Sequence, residues 1–130
     1  MHTQGKLAAT RVALLGFGSE KNASSEGWLA VGGHASRLGN KVGASKALLC
    51  FPKLGADAAQ IVKVLTRGAY LGVYKFDEYL SENDSEESLE VLGLCGEDAA
   101  KRKKTFQKAV ERAELTAAGV CLARDLVNLP

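Results

Sequence analysis

Residues 97–130, at the end of the chain, restrict the fold more than any other part of the sequence. The stretch begins with two acidic residues, Glu97 and Asp98, which suit the positive end of a helix. An apolar stripe at helical spacing follows, with polar residues opposite, and this pattern predicts a helix with one buried face. The stripe consists of Phe106, Val110, Ala113, Ala117, Val120 and Cys121.

The second half of this helix is apolar on almost every side. Between Thr116 and Val127 only Arg124 and Asp125 are charged. A helix that is apolar all round is normally buried all round, and buried charges are normally paired. We therefore expect Arg124 and Asp125 to find partners, either locally or in a further domain. We also expect that domain to cover an interdomain docking surface formed by Leu115, Leu122, Arg124, Asp125 and Leu126.

Three short apolar runs alternate with helical patterns along the chain. The runs lie at residues 11–15, 47–51 and 89–95, and each is followed by a predicted helix. This order predicts parallel strands with right-handed crossovers and helices on the faces of the sheet. Because the runs are almost continuously apolar, we expect the strands to be buried on both sides.

Two of the predicted helices lie between these runs. The first contains glycines that each weaken a helix by about 1 kcal/mol relative to alanine, so tertiary packing must hold it. Its predicted apolar face consists of Trp28, Val31, Ala35, Leu38 and Val42. The second can be capped by Asp57. Its predicted face consists of Ile61, Leu65, Ala69, Gly72, Phe76 and Tyr79, and an acidic loop at residues 81–88 follows it.

Four stretches resemble motifs of the M17 leucyl aminopeptidases in order and spacing. GVCLARDLVNLP, at residues 119–130, resembles the segment that joins the two domains of these enzymes. RVALLGFG, at residues 11–18, is similar to a strand and turn of their N-terminal domain, and GKL at residues 5–7 is similar to the segment before it. RGAYLGVYKFDEYLSE, at residues 67–82, is similar to a helix end in the same domain. The resemblance covers essentially all of the chain.

This resemblance implies an α/β fold, a macrodomain-like three-layer sandwich with a mainly parallel sheet. Residues 1–96 would form an incomplete N-terminal domain, and residues 97–130 a long linker helix leading to an absent catalytic domain. In the family a further strand and helix precede the GKL segment. We therefore expect a sheet truncated at its N-terminal side, with an unpaired edge, in a fragment or a truncated gene product.

The resemblance also implies a function. The family releases N-terminal amino acids, often leucine, from peptides, using two divalent metal ions (zinc or manganese) that polarise the scissile carbonyl and activate water. Its metal ligands and catalytic residues belong to motifs of the catalytic domain that no position of this chain matches. The resemblance therefore assigns no catalytic, cofactor-binding or metal residue here and implies a structural and assembly role, with no activity of the chain alone.

Partners and location follow from the same resemblance. It implies contact with the catalytic domain of the same enzyme, a homo-oligomer of six copies, and peptide substrates for the parent enzyme. It implies a cytoplasmic protein, or an organellar one if a targeting segment is missing. The net charge of +2 is too small to indicate a nucleic acid, and no apolar run is long enough to span a membrane.

The remaining chemistry-bearing residues predict no site. The turn at residues 16–18 is similar to a phosphate-cradling turn, but a dinucleotide fingerprint needs a glycine where the chain has Lys21. His34 has no second ligand at metal-binding spacing. The three cysteines lie in apolar runs, and this position favours small buried thiols. They are Cys50, Cys95 and Cys121. The alternative function is a stand-alone macrodomain-like module that binds a nucleotide or a protein partner.

Overall fold

The computed structural model describes residues 1–19, 23–75 and 89–129. Within these residues the chain forms helices and strands in alternation: α1 (Ser25–Lys41), β1 (Lys46–Phe51), α2 (Ala58–Val73), β2 (Val91–Gly96) and α3 (Lys103–Asn128). The two strands pair in parallel, with Lys46 opposite Val91 and Phe51 opposite Gly96. The α/β class and the parallel pairing predicted from the sequence are confirmed.

One face of the sheet packs against helices. Phe51 and Leu94 join a core cluster formed by Leu54, Ala58, Val62, Phe106 and Ala109. The opposite face is open, since Leu48 is 64% exposed and Val91 is 50% exposed. The prediction that the strands are buried on both sides is therefore wrong for the described residues. Helices α2 and α3 both supply side chains to the same cluster, so their apolar surface covers one face only.

The N-terminal segment forms no strand in the sheet, contrary to the prediction for residues 11–15. Its backbone pairs with the start of the chain, because the Val12 N–H donates to the Met1 carbonyl at 2.9 Å and His2 bridges to Arg11. The Arg11 guanidinium donates to the Val42 carbonyl at 2.7 Å. Backbone groups need partners, and this segment finds them locally instead of along β1.

Helix α1 begins at a serine cap. The Ser24 hydroxyl accepts a hydrogen bond from the Gly27 N–H at 3.1 Å. The buried face of the helix differs from the predicted apolar stripe, whose members are half-buried or, at Val42, 37% exposed. The buried residues are Gly32, Gly33, Ser36 and Gly39.

The reason is a backbone contact between α1 and α2. A Cβ atom on Gly32 would lie 2.0 Å from the Leu65 carbonyl oxygen, and one on Gly68 would lie 2.0 Å from the Leu29 carbonyl oxygen. Only glycine fits such an approach. The residues that weaken α1 as an isolated helix are therefore those that let it pack.

Two predicted helix starts are wrong in detail. Asp57 occupies the position before α2 but its side chain makes no capping hydrogen bond. Helix α3 begins at Lys103 with no acid in its first turn. Glu97 and Asp98 instead lie in turns after β2, where the Arg102 N–H donates to the Asp98 carbonyl. The predicted helix residues Phe76 and Tyr79 and the loop at residues 81–88 lie outside the described residues.

The buried face of α3 matches the prediction in most positions. Phe106, Ala113 and Ala117 are buried as expected. Ala109 is buried where the stripe placed Val110, which is half-buried beside the core cluster. The stripe ends in Val120 and Cys121, which are also half-buried.

We predict that Gly68→Ala destabilises the fold by at least about 2 kcal/mol, because the added methyl must displace the backbone of α1. The matched control is Gly119→Ala in α3, where an added Cβ meets nothing within 4 Å. This control should gain about 0.5–1 kcal/mol from helix propensity. Urea unfolding measures both, and equal small effects would show that the helices are not in backbone contact.

Candidate docking surface on the last helix

The outer face of α3 is open to solvent. Leu115 is 76% exposed, Leu122 is 60% exposed and Leu126 is 63% exposed. Their spacings of seven and four residues place them on one face of the helix. Val127 and Leu129, at 83% and 43% exposed, extend the apolar surface toward the end of α3. An apolar surface of this kind marks an interaction site, so the docking role remains a prediction that the exposure supports.

The two charged residues of the docking surface share one local partner, Tyr74, which follows α2. The Tyr74 hydroxyl donates to Asp125 Oδ1 at 2.6 Å, and this hydrogen bond raises the pKa of Tyr74. The Arg124 guanidinium lies 5.3 Å from the centre of the same ring, within the range of a cation–π contact. Of the two expectations for Arg124 and Asp125, the structure therefore shows the local one.

A second tyrosine connects the same two helices. The Tyr70 hydroxyl donates to Glu114 Oε1 at 2.5 Å. This hydrogen bond, with burial as a smaller cause, raises the pKa of Tyr70 to about 12. The sequence reading missed both tyrosines, although their spacing of four residues at the end of an apolar helix is a signal for paired contacts on one face. Together they hold the end of α2 against α3.

A cavity of about 670 Å³ lies between α2, β2 and α3. Its walls are largely apolar and include Val62, Phe106 and Val110. Its polar lining includes the carboxylates of Glu90, Glu111 and Glu114, and the cation Lys103. The excess of carboxylates makes this cavity unfavourable for a phosphate group.

The glycine turn at residues 16–18 is not arranged as a phosphate site. The Phe17 ring packs against the Trp28 ring at a tilt of 31°, with ring centres 4.2 Å apart. The same ring would lie 3.1 Å from a Cβ on Gly27, in the first turn of α1. Anion binding at a helix start needs free backbone N–H groups. Here an aromatic ring and the Ser24 cap occupy that position.

Potential metal-ligating side chains lie apart in the described residues. In the described ranges, no three or more His, Cys, Asp or Glu residues lie close enough to hold a metal ion. His34 is exposed and its Nδ1 lies 3.4 Å from an Arg37 nitrogen. The two-metal centre implied by the resemblance does not fit these residues, and no catalytic step is assigned to them.

The cysteine prediction is partly wrong. Cys50 and Cys95 are exposed, and only Cys121 is partly covered. The physical reason is the open face of the sheet, on which every second residue of β1 reaches solvent.

None of the helices in the described part of the chain is long and apolar enough to cross a membrane. The described residues form an α/β domain with an exposed apolar helix face.

Comparison with known proteins identifies the family. The sequence profile of the cytosol aminopeptidase family, N-terminal domain, matches residues 1–83. A probable cytosol aminopeptidase of Methylorubrum extorquens is 37% identical over 124 residues, covering 94% of this chain and 24% of the relative. Those of Brucella suis and Geobacter sp. are 34% and 31% identical, covering 92% and 100% of this chain and 24% and 26% of the relatives.

This chain therefore belongs to the cytosol aminopeptidase family and matches its N-terminal domain. The resemblance to leucyl aminopeptidases seen in the sequence is confirmed. The chain spans about a quarter of the length of these relatives.

We predict that replacing Leu122 and Leu126 together by glutamine changes the free energy of unfolding by less than about 0.5 kcal/mol, because both side chains are exposed. Glutamine has nearly the helix propensity of leucine. The same change should reduce self-association, since it removes apolar surface. Urea unfolding and sedimentation velocity are the measurements.

The control for this prediction is Val110→Ala on the inner side of α3. Val110 packs against the core cluster, so its truncation should cost about 1–3 kcal/mol without improving solubility. If the glutamine variant lost as much stability as the control, the outer leucines would already be packed within this domain.

Proposed function

We propose that this chain is the non-catalytic N-terminal part of a leucyl-aminopeptidase-type metallo-exopeptidase, and that it serves the folding and assembly of that enzyme. The observation that carries the proposal is the match of 94% of the chain to about a quarter of a probable cytosol aminopeptidase. The parent enzyme would release N-terminal amino acids from peptides in the cytoplasm, or in an organelle if a targeting segment directs it there. Two divalent metal ions, zinc or manganese, would supply the Lewis acid and the activated water in its catalytic domain.

We further propose that residues 1–96 form the α/β domain and residues 97–130 the helix that leads to the catalytic domain. Helix α3 has 26 residues and is about 39 Å long. Phe106, Ala113 and Ala117 are buried along its inner side. Its other side continues past the neighbouring elements with its leucines exposed, as a connecting helix requires.

The occupant we propose for the docking surface is the catalytic domain of the same enzyme. The relatives have about three quarters of their length beyond the matched region, which provides a partner of sufficient size. Full burial of a leucine contributes about 1.5–3 kcal/mol, so Leu115, Leu122 and Leu126 together would hold a junction between domains. Tyr74 would keep Arg124 and Asp125 oriented at the rim of this contact. Homo-oligomerisation to a hexamer would follow in the complete enzyme.

The alternative, a stand-alone binding module, has one observation in its favour. The cavity between α2, β2 and α3 has a volume in the range of small-molecule sites, which is about 300–1,000 Å³. Its carboxylate lining favours a neutral or cationic occupant or a protein side chain over a nucleotide.

We predict that ADP-ribose and NAD do not bind this chain measurably in isothermal titration calorimetry. Adenosine, which has no phosphate, is the matched ligand, and it should bind no more weakly than ADP-ribose because the carboxylates repel only the phosphates. A dissociation constant for ADP-ribose in the low micromolar range, with weaker binding of adenosine, would support the module over the enzyme part.

We predict that the chain alone does not hydrolyse leucine-p-nitroanilide in the presence of manganese, zinc or cobalt ions, since it offers no metal ligand set within the described ranges. A chimera in which this chain replaces the matched region of the Methylorubrum extorquens relative should be active. Replacing Leu122 and Leu126 by glutamine in the chimera should lower its melting temperature and its activity. Lys108→Gln, an exposed change elsewhere on α3, is the control. Turnover by the repurified chain alone would contradict the proposal.

A further inference from the structure

Two thiols stand side by side on the open face of the sheet. Cys50 of β1 and Cys95 of β2 are partner residues in the parallel ladder. Neighbouring strands lie about 4.8 Å apart, and laterally paired residues point to the same face. Both cysteines are free and exposed. A side-chain rotation at each residue can therefore bring the two sulfur atoms to a common ligand.

The surroundings of the pair give it one apolar wall and one open side. The preceding pair on this face is Leu48 and Gly93. Because Gly93 has no side chain, the Leu48 side chain covers it, and a Cβ there would lie 3.0 Å from Leu48 Cδ1. On the other side the strands end one residue later, at Phe51 and Gly96. In open parallel sheets, ligands bind outside these carboxyl ends.

The donor set determines the class of ligand. Thiolate sulfur is a soft donor that selects Cu(I) over hard cations. Zinc normally requires four protein ligands in a structural site. No third His, Cys, Asp or Glu joins Cys50 and Cys95 within the described ranges. Cu(I) is the first-row ion that two thiolates satisfy on their own, because it is stable in linear two-coordinate complexes.

We propose that Cys50 and Cys95 form a binding site for one Cu(I) ion. Each thiol releases its proton to solvent as its sulfur binds the ion, so one Cu⁺ and two thiols give a bis-thiolate complex of charge −1 and two protons. No electron is transferred and no co-reactant is needed. The bound ion links β1 to β2 and stabilises the folded state, since the unfolded chain does not hold the two thiols in register.

The test is an anaerobic titration of the reduced full chain with Cu(I), in competition with the chelator bicinchoninate, with native mass spectrometry for stoichiometry. We expect one ion per chain. Cys50→Ser and Cys95→Ser should each weaken binding at least about 100-fold, because a single thiolate cannot complete the site. The chain supplies its own control in Cys121→Ser, which removes the partly covered thiol of α3 and should leave affinity unchanged.

Thermal unfolding gives an independent readout. Cu(I) should raise the melting temperature of the unaltered chain and of Cys121→Ser, and should leave those of Cys50→Ser and Cys95→Ser unchanged. Circular dichroism of the metal-free variants verifies that they fold, and Cys95→Ala provides a second variant if serine disturbs β2. Retained affinity in either strand variant, loss in Cys121→Ser, or one ion shared by two chains would overturn the proposal.

Discussion

The contact between the backbones of α1 and α2 is the constraint on which the rest of the described structure depends. Gly32 and Gly68 allow each helix to touch the carbonyl oxygens of the other. The same glycine face continues to Gly39, where an added Cβ would lie 3.0 Å from the Leu89 side chain. Asn40 Oδ1 also accepts a hydrogen bond from the Leu89 N–H at 2.7 Å. Helix α1 therefore positions the residues that enter β2, and through them the register of the sheet.

The order of elements could be predicted from hydrophobic periodicity, because β1, β2 and the helices have patterns of the correct period. The buried face of α1 could not be predicted in this way, because it is formed largely by glycines that contact the backbone of α2. A pattern of apolar side chains gives no signal for such a contact. The prediction of a strand at residues 11–15 was wrong for a different reason. An apolar run becomes a strand only where another strand offers its backbone groups, and the described segment pairs with residues near Met1 instead.

The candidate sites show the same division. The outward position of the leucines of the docking surface could be predicted, since their spacing alone places them on the side of α3 opposite the buried Ala113 and Ala117. The contacts of Tyr74 depend on how α2 and α3 are placed relative to each other. The spacing of residues within one helix does not determine that placement. The pairing of Cys50 with Cys95 depends on strand register, which the sequence of either strand leaves open.

The position of the far end of α3 depends on the angle at which this helix packs in the core. Its first half is held in the core at Phe106, Tyr70 donates a hydrogen bond to Glu114 near its middle, and Tyr74 donates one to Asp125 near its end. Because α3 is long, a small change in its tilt at Phe106 produces a larger displacement near Leu126. Residues that set the angle of α2, including those packed at its glycine contact with α1, therefore determine the position of the end of α3. A substitution far from the outer leucines can misalign them without touching them.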